Sequence, residues 1–180
     1  GVSAIAFSGH KFHGPKGIGG LIIRSDFKFA PLITGGGQEF HRRAGTEYLA
    51  GIIGLARAIE ILSEKQAEIT LHLRSLRDRL ESRLIQQFPE LQINGAGPRI
   101  ANTSNIFFPG VDGETLFMQL DMAGIATSLG SACSSGALEP SRVLLQMGLP
   151  VKRARSSLRF SVGRMNTVEE VDICIERLIE

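Results

Sequence analysis

Hydrophobic residues in this sequence follow two spacings, one typical of β-strands and one typical of α-helices. Short apolar runs at residues 2–7 and 21–23 flank a glycine-rich segment at residues 8–20, which predicts a strand, a loop and a second strand. Three further short segments also predict strands, and the last of them alternates apolar with polar residues as a strand with one polar face does: residues 91–93, 103–108 and 156–162.

Apolar residues three and four positions apart predict two helices in the middle of the chain. Thr46 is placed to cap a helix whose apolar residues extend from 49 to 59. Leucines within residues 66–88 then fall at helical spacing with charged residues between them, which predicts an amphipathic helix that Pro89 ends.

The remaining helices are predicted from their capping residues. Asp112 is placed to cap a helix over residues 113–122, residues 139–141 open another, and residues 167–170 form a capping box before the last one. Because strands and helices alternate, the sequence predicts an α/β or α+β architecture. The long helical region near residue 68 is the only position that suggests a domain boundary.

Composition excludes several classes of protein. The 180 residues are 43% hydrophobic, enough for a sizeable core, and 20 basic against 18 acidic residues leave a net charge of +2 that does not indicate a nucleic-acid partner. No apolar run is long enough to cross a bilayer, and no signal peptide is recognisable. Two cysteines, Cys133 and Cys174, fit a reducing, cytoplasmic compartment. The start at Gly-Val-Ser predicts a processed chain or part of a longer one.

Candidate chemistry is concentrated in the segment 8–20. Its glycines supply backbone amides and allow close approach of a ligand, Ser8 and His10 offer hydrogen bonds to a phosphate, and Lys11 would project towards that ligand. The alternative is a solvated surface lysine. A metal site at His10 and His13 is not expected, because no third ligand and no Cys-x-x-Cys pair accompanies them.

Three other positions carry candidate chemistry. A glycine-rich loop leads to Thr46 at a helix start, which is a plausible anion site or a plain connection. Cys133 lies among small polar residues, as an accessible thiol does, whereas Cys174 lies in an apolar stretch typical of core packing. Arg159, on the polar strand face, could clamp a carboxylate or form a surface salt bridge.

Five motifs have the order and spacing found in cysteine desulfurases. They are Ser-Gly-His-Lys at 8–11, Gly-Gly-Gly-Gln-Glu at 35–39, Arg-Ala-Gly-Thr at 43–46, Gly-Ser-Ala-Cys at 130–133 with Leu-Glu-Pro-Ser at 138–141, and Leu-Arg-Phe-Ser-Val-Gly-Arg at 158–164. Nearly the whole chain resembles the nitrogenase-type and housekeeping iron–sulfur branch of that family, class V aminotransferase-like enzymes that use pyridoxal 5'-phosphate (PLP).

The resemblance implies an α/β fold in two parts. Residues 1–68 would form the end of the large PLP-binding domain, with a mixed or mostly parallel sheet. Residues 69–180 would form a small α+β C-terminal domain that carries the catalytic-cysteine loop.

The resemblance also implies a role for each candidate residue. Lys11 would hold PLP as a Schiff base, with Ser8 and His10 on its phosphate. Thr46 would reach the phosphate of the neighbouring subunit in a homodimer. Cys133 would be the mobile catalytic nucleophile, and Arg159 would hold the substrate carboxylate.

The implied reaction converts L-cysteine to L-alanine and leaves a persulfide on Cys133, for transfer to an iron–sulfur scaffold or another sulfur acceptor. Alternatives are a related selenocysteine lyase, an aminotransferase, or a truncated module that only binds partners. The family's first half, with further PLP contacts, has no counterpart here, which implies that this chain alone is inactive. Phe40 and His41 replace the usual arginine and glycine after the Gly-Gly-Gly-Gln-Glu motif.

Overall fold

A computed structural model of the protein describes residues 1–130 and 139–179. The chain forms two compact units, Gly1–Gln66 and Ala67–Glu180. The boundary falls inside helix α2 (Leu49–Gln87), so the two helices predicted in this region are one continuous helix. None of the helices in the described part of the chain is both long and apolar enough to cross a membrane.

The first unit begins with two antiparallel strands, β1 (Ala4–Ser8) and β2 (Gly19–Ile23). A 3₁₀ turn over Gly9–Phe12 opens the connection between them. The register pairs Ser8 with Gly19 at the closed end of this hairpin. The predicted sequence of strand, glycine-rich loop and strand is therefore confirmed.

After β2 the first unit continues through a loop with one short turn, α1 (Gln38–His41), to the start of α2. The prediction that Thr46 caps this helix is wrong, because α2 begins at Leu49 and Thr46 lies before its first turn. The first helical hydrogen bond runs from the amide of Ile52 to the carbonyl of Tyr48, at 3.0 Å.

The second unit contains a three-stranded antiparallel sheet in the order β3 (Gln92–Ile93), β4 (Thr103–Phe107), β5 (Ser157–Ser161). All strand pairs within the described residues are antiparallel, so the mixed or mostly parallel sheet that the resemblance implies for residues 1–68 is not present among them. Besides the second part of α2, the described residues of this unit form four helices: α3 (Gly113–Met122), α4 (Arg142–Gln146), α5 (Val151–Arg155) and α6 (Val168–Ile179). The short helix α5 was not predicted, because its run of basic residues has no helical apolar spacing.

One face of this sheet forms the core of the second unit. Leu76 and Leu84 of α2 are buried together with Ile106 of β4 and Leu158 of β5. Burial of each such side chain stabilises the fold by about 1.5–3 kcal/mol relative to exposure. The leucine spacing in residues 66–88 therefore marks the helix face that packs on the sheet.

The capping residues predicted for α3 and α6 are confirmed. The Asp112 carboxylate accepts a hydrogen bond from the amide of Thr115 at 2.9 Å. Before α6, the amide of Glu170 donates to the Thr167 hydroxyl at 3.2 Å, and the amide of Thr167 donates to the Glu170 carboxylate at 3.1 Å. Each helix start thus has donors satisfied by the side chains that the sequence indicated.

Candidate active site

The Lys11 segment is a closed turn at the end of the β1–β2 hairpin. The amide of Gly9 donates to the carbonyl of Ile18 at 2.9 Å, and the amide of Gly14 donates to the carbonyl of Gly9 at the same distance. His13 ends the 3₁₀ turn with a left-handed backbone, φ 68°. These bonds fix the backbone on both sides of Lys11.

Glycines are required in this turn mainly because the chain packs tightly against itself. A Cβ atom on Gly9 would lie 3.0 Å from Cδ1 of Leu55, and one on Gly14 would lie 2.9 Å from the carbonyl oxygen of Gly9. A Cβ on Gly19 would overlap the carbonyl oxygen of Phe7. The glycine pattern was interpreted as a way for a ligand to approach, and the structure gives it an intrachain reason.

The side chains of Ser8, His10 and Lys11 all lie exposed on this turn. None of them forms a hydrogen bond or an ion pair with a described residue. The structure therefore brings these three predicted site residues together, within one turn of backbone, and leaves their polar atoms available. No group of three or more potential metal ligands occurs among the described residues.

Thr46 lies exposed at the end of the second glycine-rich loop of the same unit. The Arg43 guanidinium donates to the carbonyls of Gly45 at 2.9 Å and Thr46 at 3.3 Å. The amide of Gly45 donates to the Gln38 side-chain oxygen at 3.2 Å. The loop backbone is thus tied by its own side chains, while the Thr46 hydroxyl makes no hydrogen bond to a described residue.

Three consecutive residues of this loop adopt a left-handed backbone. Glu39, Phe40 and His41 have φ values of 50°, 56° and 61°. Such conformations cost roughly 1–2 kcal/mol for each L-residue other than glycine. His41 thus occupies a conformation that glycine would adopt without strain.

Arg159 lies in the middle of β5, in the second unit. Its backbone exchanges two hydrogen bonds with Ser128, at 3.1 Å and 2.7 Å. The side chain is half-buried, and its Nε atom is buried without a hydrogen-bond partner among the described residues. An unsatisfied buried guanidinium nitrogen is rare in folded proteins and is a ready donor for a carboxylate.

Of the two cysteines, only Cys174 lies among the described residues. Cys133 lies outside the described residues, so its predicted accessibility stays a prediction. Cys174 lies against the core of the second unit, and burial raises the pKa of its thiol to about 11. The interpretation of Cys174 as a packing residue is therefore confirmed.

Residues 152–155 form a basic cluster, Lys-Arg-Ala-Arg, in helix α5. Arg153 is engaged inside the unit, because its guanidinium donates to Asn94 and Gln92, both at 2.7 Å, and lies 5.2 Å from the Phe107 ring centroid. The cluster therefore offers fewer free charges for a partner than its sequence suggests.

Sequence reasoning missed a polar network around Asn94. This side chain is only 5% exposed, and its amide nitrogen donates to Asn105 at 2.6 Å and to Ser157 at 2.8 Å. The only local signal was an asparagine before glycines, which indicates a turn. Partners 11 and 63 residues away leave no trace in the local pattern.

Comparison with known proteins gives the family. The model of the aminotransferase class-V family matches residues 1–174, so this chain belongs to that family. Curated relatives include the cysteine desulfurase IscS of Clostridium botulinum strain Hall, 46% identical over 98% of this chain. A cysteine desulfurase of Klebsiella pneumoniae is 43% identical, also over 98% of the chain.

Solved structures agree with the fold class predicted for the chain. A NifS-like protein superposes with a TM-score of 0.85 and 37% identity over 99% of this chain and 45% of its own. A structure described as SspA in complex with cysteine matches with a TM-score of 0.65 and 29% identity over 92% of this chain and 45% of its own. Against both curated relatives named above, the chain likewise spans 45% of their length.

The class-V aminotransferases are PLP enzymes, and the side chains at the Lys11 turn suit that cofactor. PLP presents a phosphate and an aldehyde. The Ser8 hydroxyl and the His10 imidazole are donors for a phosphate, and the Lys11 amine is the group that bonds an aldehyde. All three are exposed and uncommitted to described residues, so their chemistry fits PLP. That they hold it stays a prediction.

Proposed function

We propose that this chain is the cofactor-anchoring and sulfur-accepting part of a PLP-dependent cysteine desulfurase. The observation that carries the proposal is the 46% identity with a curated cysteine desulfurase over 98% of this chain. The exposed, uncommitted Lys11 and the unsatisfied Nε of Arg159 support it, because each is in the state that a ligand-binding residue requires. L-cysteine is the proposed substrate.

In this proposal the cofactor is held by four residues. Lys11 would bond its aldehyde carbon, and Ser8 and His10 would donate hydrogen bonds to its phosphate. Thr46 donates to the phosphate bound by a second subunit, which makes the enzyme a homodimer. When bound, PLP withdraws electron density from the α-carbon of the substrate.

Three side chains of this chain each perform one part of the reaction. Arg159 holds the substrate carboxylate through two-pronged hydrogen bonds. The amine of Lys11, once free, takes the α-proton and returns a proton to the product. Cys133, as a thiolate, attacks the sulfur of the substrate, so that an S–S bond forms while the Cβ–S bond breaks. The products are L-alanine and a persulfide on Cys133.

The persulfide sulfur is destined for an acceptor, which we take to be an iron–sulfur scaffold or another sulfur-carrying protein of the cytoplasm. Because the chain spans 45% of its curated relatives, the remaining contacts to the cofactor ring come from polypeptide equivalent to their first half. The 180 residues are therefore inactive by themselves in this proposal.

Complementation tests the proposal. The chain is mixed with PLP, L-cysteine and a polypeptide equal to the first half of the Clostridium botulinum relative, and L-alanine and persulfide are measured. Both products are expected only with the added half. Cys133→Ala should abolish the persulfide, and Lys11→Ala should abolish both products. Alanine formed without any persulfide would contradict the desulfurase assignment.

A further inference from the structure

The sheet of the second unit has a polar face that crosses three strands at the level of Arg159. In the register of β4 and β5, Asn105 lies directly opposite Arg159. Asn94 lies just after β3, and its backbone N–H donates a hydrogen bond to the backbone carbonyl of Asn105 at 2.8 Å. Side chains of directly paired residues point to the same face of a sheet, so Asn105 and Arg159 are neighbours on this polar face.

The hydrogen-bond ladder shows how close the two side chains are. The amide of Phe108 donates to the carbonyl of Ser156 at 2.8 Å, and at the other end the amide of Val162 donates to the carbonyl of Asn102 at 2.9 Å. Hydrogen-bonded and non-hydrogen-bonded pairs alternate along an antiparallel ladder. The Asn105–Arg159 pair is therefore a non-hydrogen-bonded pair, the kind with Cα atoms only about 4.5 Å apart.

The orientation of the Asn105 amide follows from fixed donors and acceptors around Asn94. Arg153 Nε can only donate, and it lies 2.7 Å from one terminal atom of Asn94, which must be Oδ1. The Nδ2 atom of Asn94 therefore faces Asn105 at 2.6 Å, and the atom that receives it must be Asn105 Oδ1. The Ser157 hydroxyl supports this assignment of the Asn94 amide, because it accepts a hydrogen bond from Asn94 Nδ2 and donates its own proton to the Arg153 backbone carbonyl.

The side chains of Arg153, Asn94 and Asn105 form a chain of hydrogen bonds that ends at Asn105 Nδ2. This Nδ2 group makes no hydrogen bond to a described residue. Asn105 is paired with Arg159, whose Nε atom also has no hydrogen-bond partner among the described residues. On the other side of Arg159, the Ser128 hydroxyl proton is committed to the carbonyl of Gly130 at 2.7 Å. Of the two residues paired with Arg159 in the sheet, Asn105 and Ser128, Asn105 is therefore the one whose side chain has a donor that is not already used.

We infer that Asn105 is a second donor to the substrate carboxylate, acting beside Arg159 and held in orientation by Arg153 and Asn94. The inference rests on the proposed function, in which Arg159 binds that carboxylate. A guanidinium and an amide converging on one carboxylate would favour amino-acid ligands over amines that lack the carboxylate. Asn105 would therefore contribute to substrate specificity and not to the transfer of sulfur.

Asn105→Asp is the sharpest variant. It keeps an oxygen to accept the bond from Asn94, replaces the free donor by a second oxygen, and adds one negative charge opposite Arg159. The matched control is Asn102→Asp, the same chemical change three residues earlier, where the side chain accepts a bond from Thr103 and does not pair with Arg159. Thermal unfolding of each variant checks that the sheet is intact.

The assay uses the complemented enzyme with PLP and measures kcat and KM for L-cysteine, with cysteamine, which lacks the carboxylate, as an inhibitor. Asn105→Asp loses a hydrogen bond to a charged group, which contributes about 1.5–3 kcal/mol, and its own charge also repels the substrate carboxylate, so KM should rise by at least roughly 10-fold. The kcat value and inhibition by cysteamine should stay within about twofold of the unmodified enzyme, as should every constant of Asn102→Asp.

The outcomes separate the inference from the proposed function. An unchanged KM in Asn105→Asp, with loss of L-cysteine binding in Arg159→Ala, overturns the inference and leaves the proposed function standing. Equal losses for L-cysteine and cysteamine in Asn105→Asp also overturn it, because they indicate structural damage. An unaffected Arg159→Ala variant, or an unmodified complex that forms no alanine, overturns both.

Discussion

Arg99 and Glu81 form a two-pronged ion pair in the second unit, with Nη1–Oε1 and Nη2–Oε2 distances of 2.7 Å and 2.8 Å. The pair ties the loop before β4 to helix α2. Arg77 adds a bond from its guanidinium to the carbonyl of Ile100 at 2.8 Å. Glu81 is only 9% exposed, so its charge depends on these partners for compensation.

Arg99→Ala should therefore destabilise the second unit. Removal of one partner leaves a mostly buried carboxylate short of donors, and the free energy of unfolding should fall by about 2 kcal/mol. The control is Arg57→Ala, which breaks the exposed Arg57–Glu60 pair of 3.0 Å and should change stability by about 0.5 kcal/mol or less. Denaturant titration followed by circular dichroism measures both, and equal effects would contradict the account.

The same ion pair predicts a pH dependence of stability. Burial by itself would raise the pKa of the Glu81 carboxyl, but the hydrogen bonds and the charge of Arg99 outweigh it and hold this pKa below its ordinary value. A lowered folded-state pKa stabilises the protein above the unfolded pKa of about 4.3, and this contribution is lost as pH falls further. Glu81→Gln should flatten the stability curve below that pH, whereas an unchanged slope would show that other groups control it.

His41→Gly should stabilise the first unit. Glycine adopts the left-handed backbone at this position without steric cost, and the net gain should be about 0.5–1 kcal/mol after the larger chain entropy of glycine is subtracted. His41→Ala keeps the unfavourable conformation and should give no gain. Tyr48 is the only tyrosine, and the chain has no tryptophan, so tyrosine fluorescence follows this unit during unfolding. A gain in both variants would mean that the histidine side chain itself is unfavourable.

The two thiols should differ strongly in reactivity. With a pKa raised by burial to about 11, Cys174 is almost entirely protonated at neutral pH and should react slowly with a thiol reagent until the chain unfolds. Cys133 is predicted to be accessible and to react quickly. Cys133→Ala should therefore remove the fast phase, and Cys174→Ala should remove only the slow one. A fast phase that survives in Cys133→Ala would contradict the assignment of the two cysteines.

Local signals predicted those parts of the fold whose causes are local. The β1 and β2 strands, the leucine face of α2 and the caps at Asp112 and Thr167 all follow from residues within a few positions of one another. These features were confirmed because hydrophobic spacing and capping act over short distances.

The features that were missed depend on contacts distant in sequence. Asn94 acquires its role only when β3, β4 and α5 meet, and the free donor on Asn105 cannot be recognised before that network is known. For the candidate site, motif order indicated Lys11 and Arg159 directly. The structure adds that, among the described residues, the Lys11 amine has no hydrogen-bond or ion-pair partner and the Arg159 Nε atom has no hydrogen-bond partner.

Chemical labelling can identify the lysine that carries the cofactor, which we propose to be Lys11. The complemented enzyme is loaded with PLP and reduced with borohydride, and the labelled peptide is identified by mass spectrometry, with Lys16→Ala as the matched control in the same loop. We expect a stoichiometric label on Lys11 that survives in Lys16→Ala and disappears in Lys11→Ala. A stoichiometric label on any other lysine would contradict this proposal.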